Sequence, residues 1–155
     1  LHMYENTNMR FASAYYHWFF LIQPKGFPEK LIGDDPAFYL RTKLTAWGRT
    51  SSAITPEAHA EYLRCFERPE TIHATCEDYR ASAGIDLEHD RESTEKLAMP
   101  LLALWGAAGF VGSAYDVLAT WREVAKDVRG QAVPGGHYLP EEAPDETLAA
   151  LLAFL

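Results

Sequence analysis

The residues best equipped for chemistry lie near the end of the chain, in Val133-Pro134-Gly135-Gly136-His137-Tyr138-Leu139-Pro140-Glu141-Glu142. Val128 to Val133 reads as a strand, so His137 falls just past a carboxyl end, where open α/β sheets gather their functional groups. Gly135 and Gly136 allow the sharp backbone turn that frees an imidazole to project into a crevice. Imidazole is the side chain best matched to proton transfer near neutral pH. An isolated histidine more often closes a turn, but the strand before it and the Pro-Glu-Glu helix start after it favour catalysis. The other titratable groups are weaker. In Glu88-His89-Asp90 adjacent side chains diverge and no second histidine stands at ligand spacing, so this reads as a loop with an acidic rim rather than a metal site. His59 and His73 fall in helices without partners, as surface or satisfied core residues. Lys43 reads as a solvated surface charge.

Composition narrows the partners. With 155 residues, 48% hydrophobic and 23% charged, the chain has the length and apolar content of one ordinary domain and is not a disordered one. A net charge of −8 offers no basic surface for nucleic acid. The apolar run around Trp105 to Val111 is broken by glycines, so nothing is expected to span a membrane. Leu1-His2-Met3 leads straight into polar residues without the apolar core of a signal peptide. Cys65 and Cys76 show no metal spacing, and a reducing, cytoplasmic setting is the simplest reading.

Two stretches must position these groups, and they follow different grammars. Residues 1 to about 90 read as helices only. Asn6 or Thr7 caps a helix with apolar positions Phe11, Tyr15, Trp18, Phe19 and Ile22, stopped by Pro24. Asp35-Pro36 opens a helix to Trp47, Thr55-Pro56 another to Phe66, and Pro69 a third with Ile72, Cys76, Tyr79 and Ala83 on one stripe. Asp86 to Glu95 reads as a solvated acidic connection. Residues 96 to 155 alternate. Pro100 to Trp105, ended by Gly106, is a continuous apolar run that fits a buried strand. A helix from Ala114 to about Ala125, a strand over Val128 to Val133 and a helix from Pro144 complete a strand–helix–strand–helix order, that of a doubly wound α/β fold. Two parallel strands alone make a poor sheet, so further strands are expected from elsewhere.

These segments carry a resemblance. Gly136-His137 followed by Leu139-Pro140-Glu141-Glu142-Ala143-Pro144, and Pro100 to Gly106 ending in Trp-Gly, resemble the last core segments of α/β-hydrolases in the dehalogenase and epoxide-hydrolase branch. Tyr16-His17-Trp18-Phe19-Phe20 and Cys76-Glu77-Asp78-Tyr79-Arg80-Ala81 resemble the lid of haloacetate (fluoroacetate) dehalogenases. The resemblance implies the C-terminal part of an α/β-hydrolase fold, with residues 1–95 as a helical lid and 96–155 as core. The nucleophile half would lie upstream of residue 1.

In that family an aspartate displaces halide from the alpha carbon, and a histidine oriented by a second acid activates water to cleave the resulting ester. His137 matches the histidine. No Gly-x-Asp-x-Gly or Gly-x-Ser-x-Gly occurs in the chain. Ala107 to Gly112 offers no acid after the Trp-Gly strand, and Asp116 lies too far into the next helix. The resemblance also assigns halide-binding N–H and O–H groups to His17, Trp18 and Tyr79, which as neutral donors suit a small anion. Packing in apolar stripes is the usual fate of such aromatics, and His17 sits beside its stripe. Trp47 lines the substrate pocket or merely packs. None of Arg41, Arg49, Arg80 and Arg129 is singled out as a carboxylate clamp.

The expected activity is cofactor-free hydrolysis of a short 2-halo acid, fluoroacetate foremost. Expected partners are that acid, halide ion and the missing half of the fold, with a homodimer admitted. An epoxide hydrolase, with Tyr15, Tyr16, Tyr62 and Tyr79 as candidate acids, is the nearest alternative. A non-catalytic helical interaction module is the more distant one.

Overall fold

The computed structural model describes residues 2–48 and 52–155. The chain divides into two compact units, residues 1–42 with 56–94, and residues 43–55 with 95–155. The sequence predicts a single helical region over residues 1–95. The segment from Lys43 instead groups with the second unit, because its contacts are with the loop around His137.

The first unit is helical. Its elements are α1 (His2–Glu5), α2 (Met9–Ala14), α3 (Tyr16–Leu21), α4 (Phe27–Asp34), most of α5 (Pro36–Trp47), α6 (Pro56–Phe66), α7 (Pro69–Ser82) and α8 (Ile85–Glu92). The proline-led starts of α5, α6 and α7 fall where expected, since proline costs nothing at a first helical position. The first expected helix differs. Asn8, not Asn6 or Thr7, is its cap, accepting from the Phe11 N–H at 3.0 Å. The helix then breaks at Tyr15, whose φ of −120° and ψ of 38° lie outside the helical region. Most of the stretch from Asp86 to Glu95, expected as a solvated connection, forms α8 instead. Asp86 and Glu88 in its first turn and His89 and Arg91 in its last complement the helix dipole.

The core of this unit joins Leu21, Ile32, Ile72 and Cys76, with Phe20, Tyr39, Phe66 and Tyr79 against it. The α4 helix starts from Gly26, whose φ of +93° a side chain would strain. Glu29 locks that start by accepting the Gly26 N–H at 2.8 Å. The same carboxylate takes both arms of the Arg80 guanidinium from α7, at 2.8 and 3.1 Å. Fork-to-fork pairing of this kind is among the stronger polar contacts. It holds the Glu29 carboxyl well down, to about 2.

The second unit carries β1 (Leu101–Gly106), α9 (Phe110–Ala114), α10 (Val117–Val124), β2 (Val128–Val133), α11 (Leu139–Glu142) and α12 (Pro144–Phe154). The strands are parallel, in register from Leu101 beside Val128 to Gly106 beside Val133. Among the described residues this is a sheet of two strands. Asp116 caps α10, accepting from the Ala119 N–H at 3.0 Å, which accounts for that acid structurally. Three leucines of α12, Leu148, Leu151 and Leu152, are exposed, as are Arg129, Gln131 and Ala132 of β2. No helix among the described residues is long and apolar enough to cross a membrane.

Candidate functional site

In the second unit the site is built from backbone. A Cβ on Gly106, the last residue of β1, would lie 1.7 Å from the Gly136 carbonyl oxygen, so only glycine lets the strand end touch the histidine loop. The contact is fastened by the Ala107 N–H donating to Val133 O at 2.8 Å and the Ala108 N–H to Gly135 O at 3.0 Å. On the far side of the loop, one carboxylate oxygen of Glu142 accepts the Gly136 N–H at 2.8 Å and the Tyr138 N–H at 3.1 Å. The amides on either side of His137 thus share one acceptor. The His137 N–H itself donates to the Trp47 carbonyl at 3.1 Å.

The His137 ring lies 5.3 Å from the Trp47 ring and 5.1 Å from the Tyr138 ring, centroid to centroid, while the residue keeps an exposed face. Crowding by these neighbours disfavours the charged imidazolium and lowers the His137 pKa; the Glu142 carboxylate partly offsets this. A neutral imidazole is the form that can accept a proton from water.

One expectation for this region is overturned. Lys43 is not a solvated charge. It is buried, at 6% exposure, with its ammonium 4.9 Å above the Trp47 ring centroid. The Lys43 carbonyl also accepts the Tyr138 hydroxyl at 3.3 Å. Lys43 was not legible as part of the site, because it acts on a loop more than ninety residues away. Glu142 had one signal, its position just after a glycine-rich turn, where a carboxylate can collect free amides.

In the first unit the site is built from rings. His17 is buried, at 4% exposure. Its ring sits 5.4 Å from Tyr79 and 5.4 Å from Tyr15. Trp18 lies 6.0 Å from Tyr79 and stacks on Tyr15 at 6.3 Å, with planes 7° apart. Phe11 closes on Trp18 edge-on at 5.3 Å, and Tyr4 meets it at 5.0 Å. So the imidazole, indole and phenol come together although about sixty residues separate the two helices that carry them. Burial raises the Tyr79 pKa and keeps its phenol a proton donor. Trp18 also lines a cavity of about 570 Å³ with Tyr4, Asp86, His89 and Asp90.

The remaining candidates sort differently. Arg80, in the fork with Glu29 and also donating to the Gln23 carbonyl at 3.0 Å, is structural. His73 is not without a partner: its Nδ1 lies 3.2 Å from a Glu29 oxygen. With Glu77 these groups sit close enough to hold a metal ion, but Arg80 already bridges both carboxylates and places a positive charge there. Glu88, His89 and Asp90 do not form such a cluster among the described residues. Arg129 pairs with Asp127 at 3.1 Å, and Arg49 lies outside the described residues.

Fold and sequence together place the chain among the α/β-hydrolases. It superposes on an alpha/beta hydrolase from Nostoc sp PCC 7120 with a TM-score of 0.95 and 59% identity, over 97% of this chain and 52% of that one. Within the superfamily its sequence resembles fluoroacetate dehalogenase from Burkholderia sp, 36% identical over 99% of this chain and 51% of the relative. It also matches a soluble epoxide hydrolase from Corynebacterium sp. (strain C12), 35% identical over 80% of this chain and 43% of that one. The chain spans about half the length of the curated relatives it matches. No family model matches it.

Proposed function

We propose that the full protein removes halogen from a short 2-halo acid, with fluoroacetate as the leading substrate. The observation that carries this reading is the convergence of the His17, Trp18 and Tyr79 rings. Fluoride leaves poorly unless its developing charge is met by preorganised donors in a water-poor site, and three neutral N–H and O–H groups answer that need. The likeness to fluoroacetate dehalogenase over nearly the whole chain supports it.

In the proposed reaction a carboxylate outside this chain attacks the alpha carbon. The carbon–halogen bond breaks, and its electron pair leaves with the halide. Water then adds to the carbonyl carbon of the new ester while neutral His137 takes its proton. The acyl–oxygen bond breaks, the hydroxy acid departs with that proton, and the carboxylic acid left behind gives its remaining proton to solvent, which restores the carboxylate. The strands that extend β1 and β2 come, in this reading, from the rest of the full protein, with residues 1–42 and 56–94 as lid. No cofactor enters the scheme.

Epoxide hydrolysis is the second reading, supported by the likeness to the Corynebacterium enzyme and by Tyr15, Tyr16 and Tyr79 around His17 as acids for an epoxide oxygen. The test is to give the full protein fluoroacetate, chloroacetate and a terminal epoxide. Halide release without diol formation is expected. Diol alone would install the second reading, and neither product would leave a non-catalytic module.

A further inference from the structure

We infer that Lys43 is a positioning residue for His137, acting through Trp47. This rests on the role given above to His137 in ester cleavage. A buried ammonium is costly to keep unless its surroundings compensate, and here it lies on the face of an indole, the aromatic ring most attractive to a cation. That indole in turn stands against the imidazole, and the Trp47 carbonyl holds the His137 amide. The Lys43 carbonyl takes the hydroxyl of the next residue, Tyr138. The last turn of α5 therefore grips the histidine loop at two successive residues. Three of its links are a ring face and two carbonyls, fixed by the helix.

The cation is the variable part. Without it the indole loses the attraction that holds its tilt, and the imidazole loses the wall that sets its own. The backbone links survive, so the loop stays in place while the ring wanders. Such a defect slows the step in which His137 takes a proton from water and spares the displacement of halide before it. This separates Lys43 from a substrate-binding cation, whose loss would weaken both steps.

The full protein carrying Lys43→Met, Lys43→Gln or Lys43→Arg tests this, with Lys25→Met at an exposed lysine as control. With chloroacetate, rapid quenching and mass spectrometry read the halide burst and the covalent ester. Lys43→Met and Lys43→Gln should keep the burst, accumulate ester and turn over on the order of tenfold more slowly, the size expected for losing one desolvated cation–ring contact. Lys43→Arg should restore most of the rate, and Lys25→Met should match wild type. A burst that falls along with turnover, or neutral variants that turn over normally, would overturn the positioning role. A second readout does not need turnover. The His137 ring protons should carry a ring-current shift from Trp47 in NMR spectra, diminished in both neutral variants and recovered in Lys43→Arg. Should wild type act on neither halo acid nor epoxide, the proposed function fails, and this shift alone decides the link. Unchanged shifts in a folded Lys43→Met or Lys43→Gln protein would sink it.

Discussion

The two units build their candidate sites from different material. In the first, His17, Trp18 and Tyr79 are side chains on helices, brought together by ring packing around Phe11 and Tyr15. In the second, His137 stands on a loop whose amides and carbonyls are tied to β1, Glu142 and Trp47. Rings can be trimmed with some repacking, because packing spreads the loss over many small contacts. A backbone contact with no room for a methyl group offers no such latitude. The first site should therefore fail chemically before it fails structurally, and the second in the opposite order.

The largest expected effect attacks the second unit. Gly106→Val forces a side chain into the Gly136 carbonyl and should cost more than about 3 kcal/mol, read from urea unfolding. A loss below about 1 kcal/mol would erase the contrast. Next, Trp18→Phe should slow defluorination by the full protein on the order of a hundredfold while slowing dechlorination far less, since chloride needs less help to leave. Equal losses on the two acids would leave the ring cluster standing without its halide role.

Glu29→Gln should destabilise the first unit by about 2 kcal/mol at neutral pH, because Arg80 loses the more buried of its two charged partners, Glu77 being half exposed. The sign with pH follows from a carboxyl held below its usual range. Its stabilisation is present above the ordinary carboxylate pKa and drains as pH falls toward about 2. Wild type and variant should thus converge in urea midpoint in acid, and a gap that stays constant would contradict the fork. The smallest effect is on His137. Glu142→Gln removes the charge that favours imidazolium, so its pKa should fall further below the ordinary histidine value in an NMR titration. A rise would mean that Glu142 governs the ring by some route other than charge.

Much of this was legible in the chain. Pro36, Pro56, Pro69 and Pro144 each open a helix as the sequence predicts, and both strands lie where expected, the first in an apolar run closed at Gly106 and the second closed by the Pro134-Gly135-Gly136 turn after Val133. These signals are local, and local chemistry is enough to produce them. The convergence of His17, Trp18 and Tyr79 was expected from resemblance alone, since nothing in their spacing requires it. The failures were long-range or cooperative. Tyr15 breaks a periodic helix without proline or glycine, and its ring is spent on Phe11, His17 and Trp18. Lys43 looks like any surface lysine until Trp47 and the loop at His137 close over it.

The two cysteines give the first unit a built-in clock. Cys65 is exposed, whereas Cys76 lies at 0% exposure among Leu21, Ile32 and Ile72, with burial pushing its thiol up to about 11. At neutral pH Cys76 is only about one part in ten thousand thiolate, and thiolate is the reactive form. An alkylating reagent should consume Cys65 at once and then wait for the core to open before it reaches Cys76. The delay between the two labels measures how often the helices part, in a single tube and without a denaturant.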